Sequence, residues 1–406
     1  MRDMPIAITG VGVFSPLGGT PQAMWDALAG QAELRGSWAK RALSAYPVDN
    51  VVSISEDLWA SLPGAQARGD NRSRRIAAYA VDAALADAQA DPLSQRAGCV
   101  LGTTTAGVEI AEDQLRLPPA RCEALSEVDM DGASIVPDHA RGAPWRGPTL
   151  VLSMACASGL AAPAQAIDML RAGEADLMVA GGVDVLLEYT VCGFNGLRLA
   201  SGGPCRPFDA GRRGVVLSEG AACFCLEPLD AALQRGARVR AVIAGYGISC
   251  DAEHVTAPDL DGVRRAVCQA LAAAGVQPEQ LGAVFTHGTG TLANDATEVA
   301  ALRAAFGTQA LPPLTSVKSI LGHSQAAAGA FSLLAATLSL EQGGVPPTAG
   351  LQQIDPALDV DVVHGGVRAL SARHVLVDAF GFGGNNCVMV LAHPAACAAD
   401  IGRLAA

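Results

Sequence analysis

Short apolar runs bounded by turn formers alternate along this chain with Ala-rich stretches whose apolar positions recur at helical spacing. The apolar runs lack two-residue alternation, the habit of strands buried on both faces between layers of helix. In the first half the pattern predicts strands over 6–13, 98–101, 149–153, 177–180 and 221–226, with helices over 74–89 and 161–172. In the second half it predicts strands over 239–249, 283–286, 314–317, 375–380 and 387–391, with helices over 263–274, 295–306 and 326–342. The fold class is therefore α/β.

The two halves share a texture. Each runs from a helix through a short strand into a Gly/Thr-rich turn, AGCVLGTTTAG in the first and GAVFTHGTGT in the second. Each later has a strand whose small-residue turn opens an Ala-rich helix, LSMACASGLAAPAQAI and then TSVKSILGHSQAAAGAFSLL. Two copies of one α/β unit, 1–232 and 233–406, joined near 229–239, put these four turns at comparable places. Ligands of α/β sheets bind beyond the carboxyl ends of strands, so chemistry is expected at the turns. The Pro-, Asp- and Arg-rich segment 115–146 reads as an excursion over the surface or the mouth of a site, and 343–356 as a long connection.

Composition narrows the function classes. The chain has 406 residues, half of them hydrophobic, and its formal net charge of -12 gives no basic field for displacing phosphate counterions, which argues against general nucleic-acid binding. Eleven cysteines, odd in number and without C-x-x-C or His/Cys ligand spacing, indicate neither a disulfide framework nor a metal site, and suit a reducing compartment. Gly10, Gly12 and Pro16 interrupt the first apolar run, which reads as a strand and not a secretory signal. Each other candidate is broken before the ~20 apolar residues needed to span a bilayer, so a soluble, cytoplasmic protein is expected.

Cys156 lies in Ser153-Met154-Ala155-Cys156-Ala157-Ser158-Gly159, after an apolar strand and before an Ala-rich helix. The positive end of a helix dipole favours a thiolate, small neighbours admit a thioester, and backbone N–H groups at such a turn receive an oxyanion. Most free cysteines are merely small buried hydrophobes, the expectation for the other ten. His287, in Thr286-His287-Gly288-Thr289-Gly290-Thr291, and His323, five residues after Lys318, occupy equivalent turns of the duplicated unit. A single histidine at a strand end is more often structural; a matched pair points to chemistry. Lys318, at the end of an apolar strand, is expected to act electrostatically from a buried position. In Gly381-Phe382-Gly383-Gly384-Asn385-Asn386 the glycines permit close backbone approach and the Phe can swing as a gate, although a plain Gly-rich hairpin turn reads the same way.

Taken together and in this order, the Cys turn, the T-H-G-T-x-T turn, the K-x-x-x-G-H turn and the G-F-G-G-x-N loop resemble those of the β-ketoacyl-(acyl carrier protein) synthases. Cys205-Arg206-Pro207-Phe208-Asp209 followed by Ser218-Glu219-Gly220-Ala221 is similar to that family's RPFD…GEGA stretch, and the likeness runs from Ile6 to about Leu391. The resemblance implies a thiolase-like fold, two duplicated α/β halves in an α-β-α-β-α layering, without a cofactor. It implies decarboxylative condensation of an acyl group held on Cys156 with malonyl-acyl carrier protein, in fatty acid or specialised polyketide synthesis, by a homodimer or a heterodimer with a related subunit. By the same likeness His287 and His323 bind the thioester oxygen as enolate character develops, Lys318 sets their electrostatics and Glu298 is a structural acid. Thr289, Thr291, Phe380 and Gly383 contact substrate, Phe382 is the gate, and the Cys156 and Phe382 amides form the oxyanion hole. Arg72, Arg74, Arg75 and Arg206 are candidates for docking an acidic carrier protein; exposed arginines that only solvate a helix start would look the same.

The chain departs from the family's pattern in places. Ser324 and Ala326 stand for Thr and Gly in the GHTxGAAG run, Arg213 within RDG, Asn385 within GFGGTN, and 50–70 is short. Three rivals share some of these features: a non-catalytic partner subunit, which normally lacks the nucleophile; a thiolase, which would not carry the His pair with Lys318; and a cysteine hydrolase, which Cys-His spacing alone does not separate.

Overall fold

The computed structural model describes residues 4–32, 46–62, 71–116, 132–137 and 145–397. Ten strands form one continuous sheet: β1 (Ile6–Phe14), β2 (Ala97–Gly102), β3 (Thr149–Leu152), β4 (Leu177–Asp184), β5 (Gly220–Pro228), β6 (Ala241–Cys250), β7 (Leu281–Phe285), β8 (Leu314–Thr315), β9 (His374–Gly381) and β10 (Asn385–Ala392). The order is β8-β7-β9-β10-β6-β1-β5-β4-β2-β3. Reading outward from the centre, the first half runs β1-β5-β4-β2-β3 and the second β6-β10-β9-β7-β8, the same order twice. Directions repeat as well. In each half the outer strands are parallel and the inner ones antiparallel. The halves meet where β1 pairs antiparallel with β6 over Ile6–Ile8.

Five helices complete the layers: α1 (Arg72–Asp87), α2 (Ser158–Arg171), α3 (Leu260–Ala274), α4 (Leu292–Phe306) and α5 (Ala327–Gln342). Helix α1 packs on β1, β5 and β4; α3 packs on β6 and β10 and carries α4. Between the two halves lie α2 and α5, which touch each other and strands of both. This is the expected α-β-α-β-α arrangement. The sequence of α5 explains its place: it is apolar all round, and Ala327 through Leu340 are buried. Local signals set the ends of the helices. Asn71, Asp259 and Thr291 accept backbone N–H groups at the starts of α1, α3 and α4, and Gly275 and Gly343 close α3 and α5 in left-handed conformation.

Some expectations shift. The strand expected over 314–317 shortens to Leu314–Thr315, because Lys318–Leu321 forms a helical turn. Helix α2 begins at Ser158, three residues earlier than its apolar period suggested and directly after the Cys156 turn. Helices at Pro21–Ala29, Val108–Leu115 and Glu188–Gly196 were not legible. Most of the predicted excursion over 115–146 lies outside the described residues. No described helix is long and apolar enough to cross a membrane, and the described residues contain no His/Cys/Asp/Glu group suited to a metal ion.

The two central helices start in near contact. A Cβ on Gly159 would lie 2.5 Å from the Ala326 carbonyl oxygen and 2.7 Å from the Ala330 nitrogen, so α2 and α5 meet backbone to backbone. Gly159→Val is expected to lower the urea midpoint by the equivalent of ~1–3 kcal/mol of overpacking. Gly193→Ala, where nothing lies within 4 Å of the new carbon, should leave it level or raise it slightly; equal losses in both variants would contradict this account of the α2–α5 contact.

Candidate active site

The chain leaves β3 at Leu152 and turns into α2 through Ala155, whose φ of 48° is left-handed. Ser158 braces the turn: its Oγ accepts from the Met154 N–H at 2.8 Å and donates to the Ala155 carbonyl at 2.6 Å. The end of β9 presses on the same turn. A Cβ on Gly381 would meet the Met154 carbonyl oxygen at 2.5 Å and the Cys156 nitrogen at 3.1 Å, which only glycine avoids. Cys156 is thereby held at the foot of the β9–β10 turn, 7% exposed. Its electrostatics differ from expectation. Burial pushes the thiol up to about 12, and the Lys318 charge and the backbone N–H groups of Phe382 and Cys156 only partly oppose it. The group at rest is a thiol, so the helix start does not produce the anticipated thiolate.

His287 follows β7, and His323 follows the short helix after β8, so the duplication matches them to the Thr103–Thr105 turn and the Cys156 turn of the first half and not, as expected, to each other. The two imidazoles meet edge to face at 5.5 Å between centroids. Burial, reinforced by Lys318, holds both well below the usual histidine range, so both are neutral at pH 7. The contacts of each Nδ1 set its tautomer. Lys318 Nζ lies 3.3 Å from His287 Nδ1 and donates to the His287 carbonyl at 2.5 Å. Nδ1 of His323 accepts from the Gln325 N–H at 3.2 Å. With both Nδ1 atoms accepting, each ring carries its proton on Nε2.

Behind the histidines lies a buried acidic layer. The His287 N–H points at two carboxylate oxygens, Glu298 Oε1 at 2.8 Å and Asp378 Oδ1 at 2.5 Å, and the Gly288 N–H donates to Glu298 Oε2 at 2.9 Å. Burial and mutual repulsion raise Glu298 well above the carboxylate range, burial raises Asp378 to about 6, and burial lowers Lys318 against the pull of both acids. Asp184, at the end of β4, accepts from Thr103, Thr104 and Thr105 and, at 2.8 Å, from the Ala326 N–H that opens α5.

Cys156, His287, His323, Thr289, Thr291, Phe380 and Phe382 line one cavity of about 630 Å³, counted to its open mouth. Thr289 and Thr291 share a hydroxyl contact of 3.0 Å, and Thr291 also caps α4. The Phe380 ring lies 5.5 Å from that of His287. Gly383 stands back from the wall, with φ of 83° and its N–H donating to the Val255 carbonyl at 2.7 Å; Gly381 and Gly384 line the cavity instead. Lys318 and Glu298 lie behind the wall, within reach of His287 and not of the cavity.

The arginines scatter. Arg72 is buried, 3.1 Å from Glu219 and 4.3 Å over the Trp59 ring, so its charge is turned inward and it is corrected here from a docking to a structural position. Arg75 is half-buried, 5.7 Å from the same ring; Arg74 is exposed; Arg206 is half-buried and donates to Gln352 at 3.0 Å. None of the four lines the cavity. Three site residues escaped the sequence reading. Asp378 and Asp184 are lone acids in the apolar strands VLVDAF and LMVAGGVD, a signal that could have found them. Phe194, stacked 5.8 Å from Phe382 and edge-on to His323 at 6.3 Å, stands in the helix Glu188–Gly196, whose sequence gave none.

Comparison with known proteins agrees with this geometry. Residues 3–232 match the N-terminal domain of β-ketoacyl synthases and residues 240–352 the C-terminal domain. Nodulation protein E of Rhizobium meliloti is 40% identical over 246 residues, a match spanning 60% of this chain and 61% of that protein. The 3-oxoacyl-[acyl-carrier-protein] synthase 2 of Synechocystis is 32% identical across 95% of this chain and 97% of its own length. The ishigamide ketosynthase/chain length factor superposes with a TM-score of 0.85 at 30% identity, over 96% of this chain and 99% of that one. With the duplicated fold, and with Cys156 and the two histidines in one cavity, these matches place the chain in the β-ketoacyl synthase family.

Proposed function

We propose that this chain is a decarboxylating β-ketoacyl-(acyl carrier protein) synthase acting in fatty acid or polyketide synthesis, with 1–232 supplying the nucleophile and 233–406 the two histidines. The carrying observation is that Cys156, His287 and His323 line one cavity, with the Nδ1 of each histidine engaged by Lys318 or by the Gln325 N–H, which leaves Nε2 of each ring as its donor. In the first stage the Cys156 sulfur attacks an acyl thioester, the carbonyl oxygen is received by the Cys156 and Phe382 N–H groups, and the thiol proton ends on the departing pantetheine sulfur. In the second, malonyl thioester loses carbon dioxide, and the enolate oxygen is held by the two Nε2–H groups. The enolate carbon attacks the acyl carbonyl, and Cys156 leaves as thiolate and takes a proton from water. Thr289 and Thr291 hold the pantetheine arm, Phe380, Gly381 and Gly384 shape the wall, and Phe382 gates entry.

The presence of Cys156 and both histidines sets the chain apart from a non-catalytic subunit, and donors on both rings suit enolate stabilisation better than the general base of a hydrolase. Among the described residues strand β3 ends the sheet with a half-exposed apolar edge just before the nucleophile turn, which suits pairing with a second copy or a related subunit. A cytoplasmic setting fits the free described cysteines.

Cys156→Ala is expected to abolish acyl adduct formation while leaving the fold intact, and His323→Ala to lose carbon dioxide release more severely than acylation. Mass spectrometry of the adduct and a carbon dioxide assay separate the two, and carbon dioxide release at the wild-type rate in His323→Ala would sink the assignment. The resting thiol gives a second test. Iodoacetamide alkylation of Cys156 should rise about tenfold per pH unit from about pH 7 to 10, without the plateau of a thiol of ordinary pKa. Carrier docking is tested by charge reversal: Arg74→Glu with Arg75→Glu should raise KM for carrier-bound substrates and leave a small pantetheine thioester unaffected. Equal losses on both substrates remove these residues from docking.

A further inference from the structure

The acids behind His287 pose a problem that the catalytic reading leaves unsolved. Glu298 Oε1 and Asp378 Oδ1 both receive the single His287 N–H, at 2.8 and 2.5 Å, so the two oxygens crowd one hydrogen. Glu298 and Asp378 are each 1% exposed or less. Lys318, on which the charges of both acids act, is itself 1% exposed and spends its contacts on His287 Nδ1 and its carbonyl. Were both acids ionised, three groups would leave one uncompensated negative charge in a dry site, and like charges this close do not both ionise. Among the described residues no arginine pairs with either acid. Cys156 and Cys205 are thiols, His323 is neutral, and Asp295 from α4 adds negative charge against Arg212 at 3.5 Å. Asp378 Oδ2 has no hydrogen-bond partner among the described residues, whereas Glu298 Oε2 is taken by Gly288 and Asn294.

We propose that Asp378 and Glu298 share one proton, and that this pair, carrying a single negative charge, holds Lys318 as the ammonium that fixes His287 as an Nε2–H donor. Asp378 is on this account a positioning residue, acting on the reaction through Lys318 and His287 without touching substrate. The proposal rests on the condensing reaction assigned above for its kinetic consequence, though not for the proton itself. Burial raises both carboxyls, and the Asp378 charge raises Glu298 further, in agreement with it. The kinetic sign follows directly. While the proton is held, the pair and Lys318 sum to zero. Once it is lost at alkaline pH, a net negative charge stands behind His287 and opposes the enolate, so decarboxylation falls as pH rises.

The test uses the full chain with Cys156→Ala as background, which removes the thiol from the titration, and malonyl-pantetheine as substrate. Asp378→Asn keeps an oxygen for the His287 N–H but removes one ionisation, so the alkaline midpoint for carbon dioxide release should move up by about one pH unit or more. An unchanged midpoint overturns the proposal. Infrared difference spectra at pH 7 give a readout independent of turnover: a protonated-carboxyl absorption present in the parent should disappear in Asp378→Asn and, separately, in Glu298→Gln. Its survival in both variants overturns the shared proton even if the chain releases carbon dioxide, and its loss in both supports the proton even if no condensation is detected. The reciprocal Glu298→Gln protein keeps the test decisive should Asp378→Asn fail to fold.

Discussion

Taking an ion out of water costs several kcal/mol unless a partner compensates, and the groups around Cys156 sit under that constraint together. Cys156, His287, His323, Lys318, Glu298 and Asp378 are all buried. The thiol responds by keeping its proton, and the imidazoles by remaining neutral. Lys318 is the exception. Burial lowers its hold on the proton, and the charges of Glu298 and Asp378 oppose that loss, because opposite charges interact more strongly in a protein interior than in water. Catalytic character thus resides in the arrangement of neutral donors around one buried cation, more than in a reactive anion waiting on Cys156.

That arrangement depends on a backbone geometry that the duplication supplies. The same five-strand order, generated twice, delivers the Cys156 turn and the His323 turn to the starts of two adjacent helices, and the Thr103–Thr105 turn and the His287 turn to the ends of the neighbouring strands. Small residues then decide how near those turns come. Gly159 lets α2 reach α5, and Gly381 lets the β9–β10 turn rest on Cys156. Asp184 fastens the remaining side, joining the Thr turn of the first half to the opening of α5 in the second through charge-assisted bonds.

Much of this was legible in the sequence because it follows local rules. Buried strands read as unbroken apolar runs, helices as Ala-rich periods, and the nucleophile and both histidines as polar residues in small-residue turns. Residues whose role comes from burial were harder. The thiolate expected of Cys156 follows from its helix start, yet desolvation outweighs the dipole once the turn is covered. Arg72 looked like a surface cation at the head of a helix; instead Glu219, which also accepts from the Ile54 and Leu186 N–H groups, draws it inside. Asp378 left a trace as a lone acid in an apolar strand, but only the fold brings it to within hydrogen-bonding distance of the His287 N–H, beside Glu298. Phe194 left none, since stacking on Phe382 depends on a long-range approach.

The resting thiol also bears on the order of events. A buried thiolate would need a permanent counterion beside the cavity, and such a cation would sit where the malonyl carboxylate must lose its charge as carbon dioxide. Stabilising that carboxylate would work against decarboxylation, because only interactions stronger in the transition state than in the ground state accelerate the step. When malonyl arrives on the proposed pathway Cys156 is a neutral thioester, and with Lys318 set behind His287 the cavity would offer the departing carboxylate an apolar wall of Phe194, Phe380 and Phe382 and the enolate the two histidines. Charge is therefore disfavoured where it must disappear and favoured where it must form, and the same burial that silences the free thiol makes that contrast.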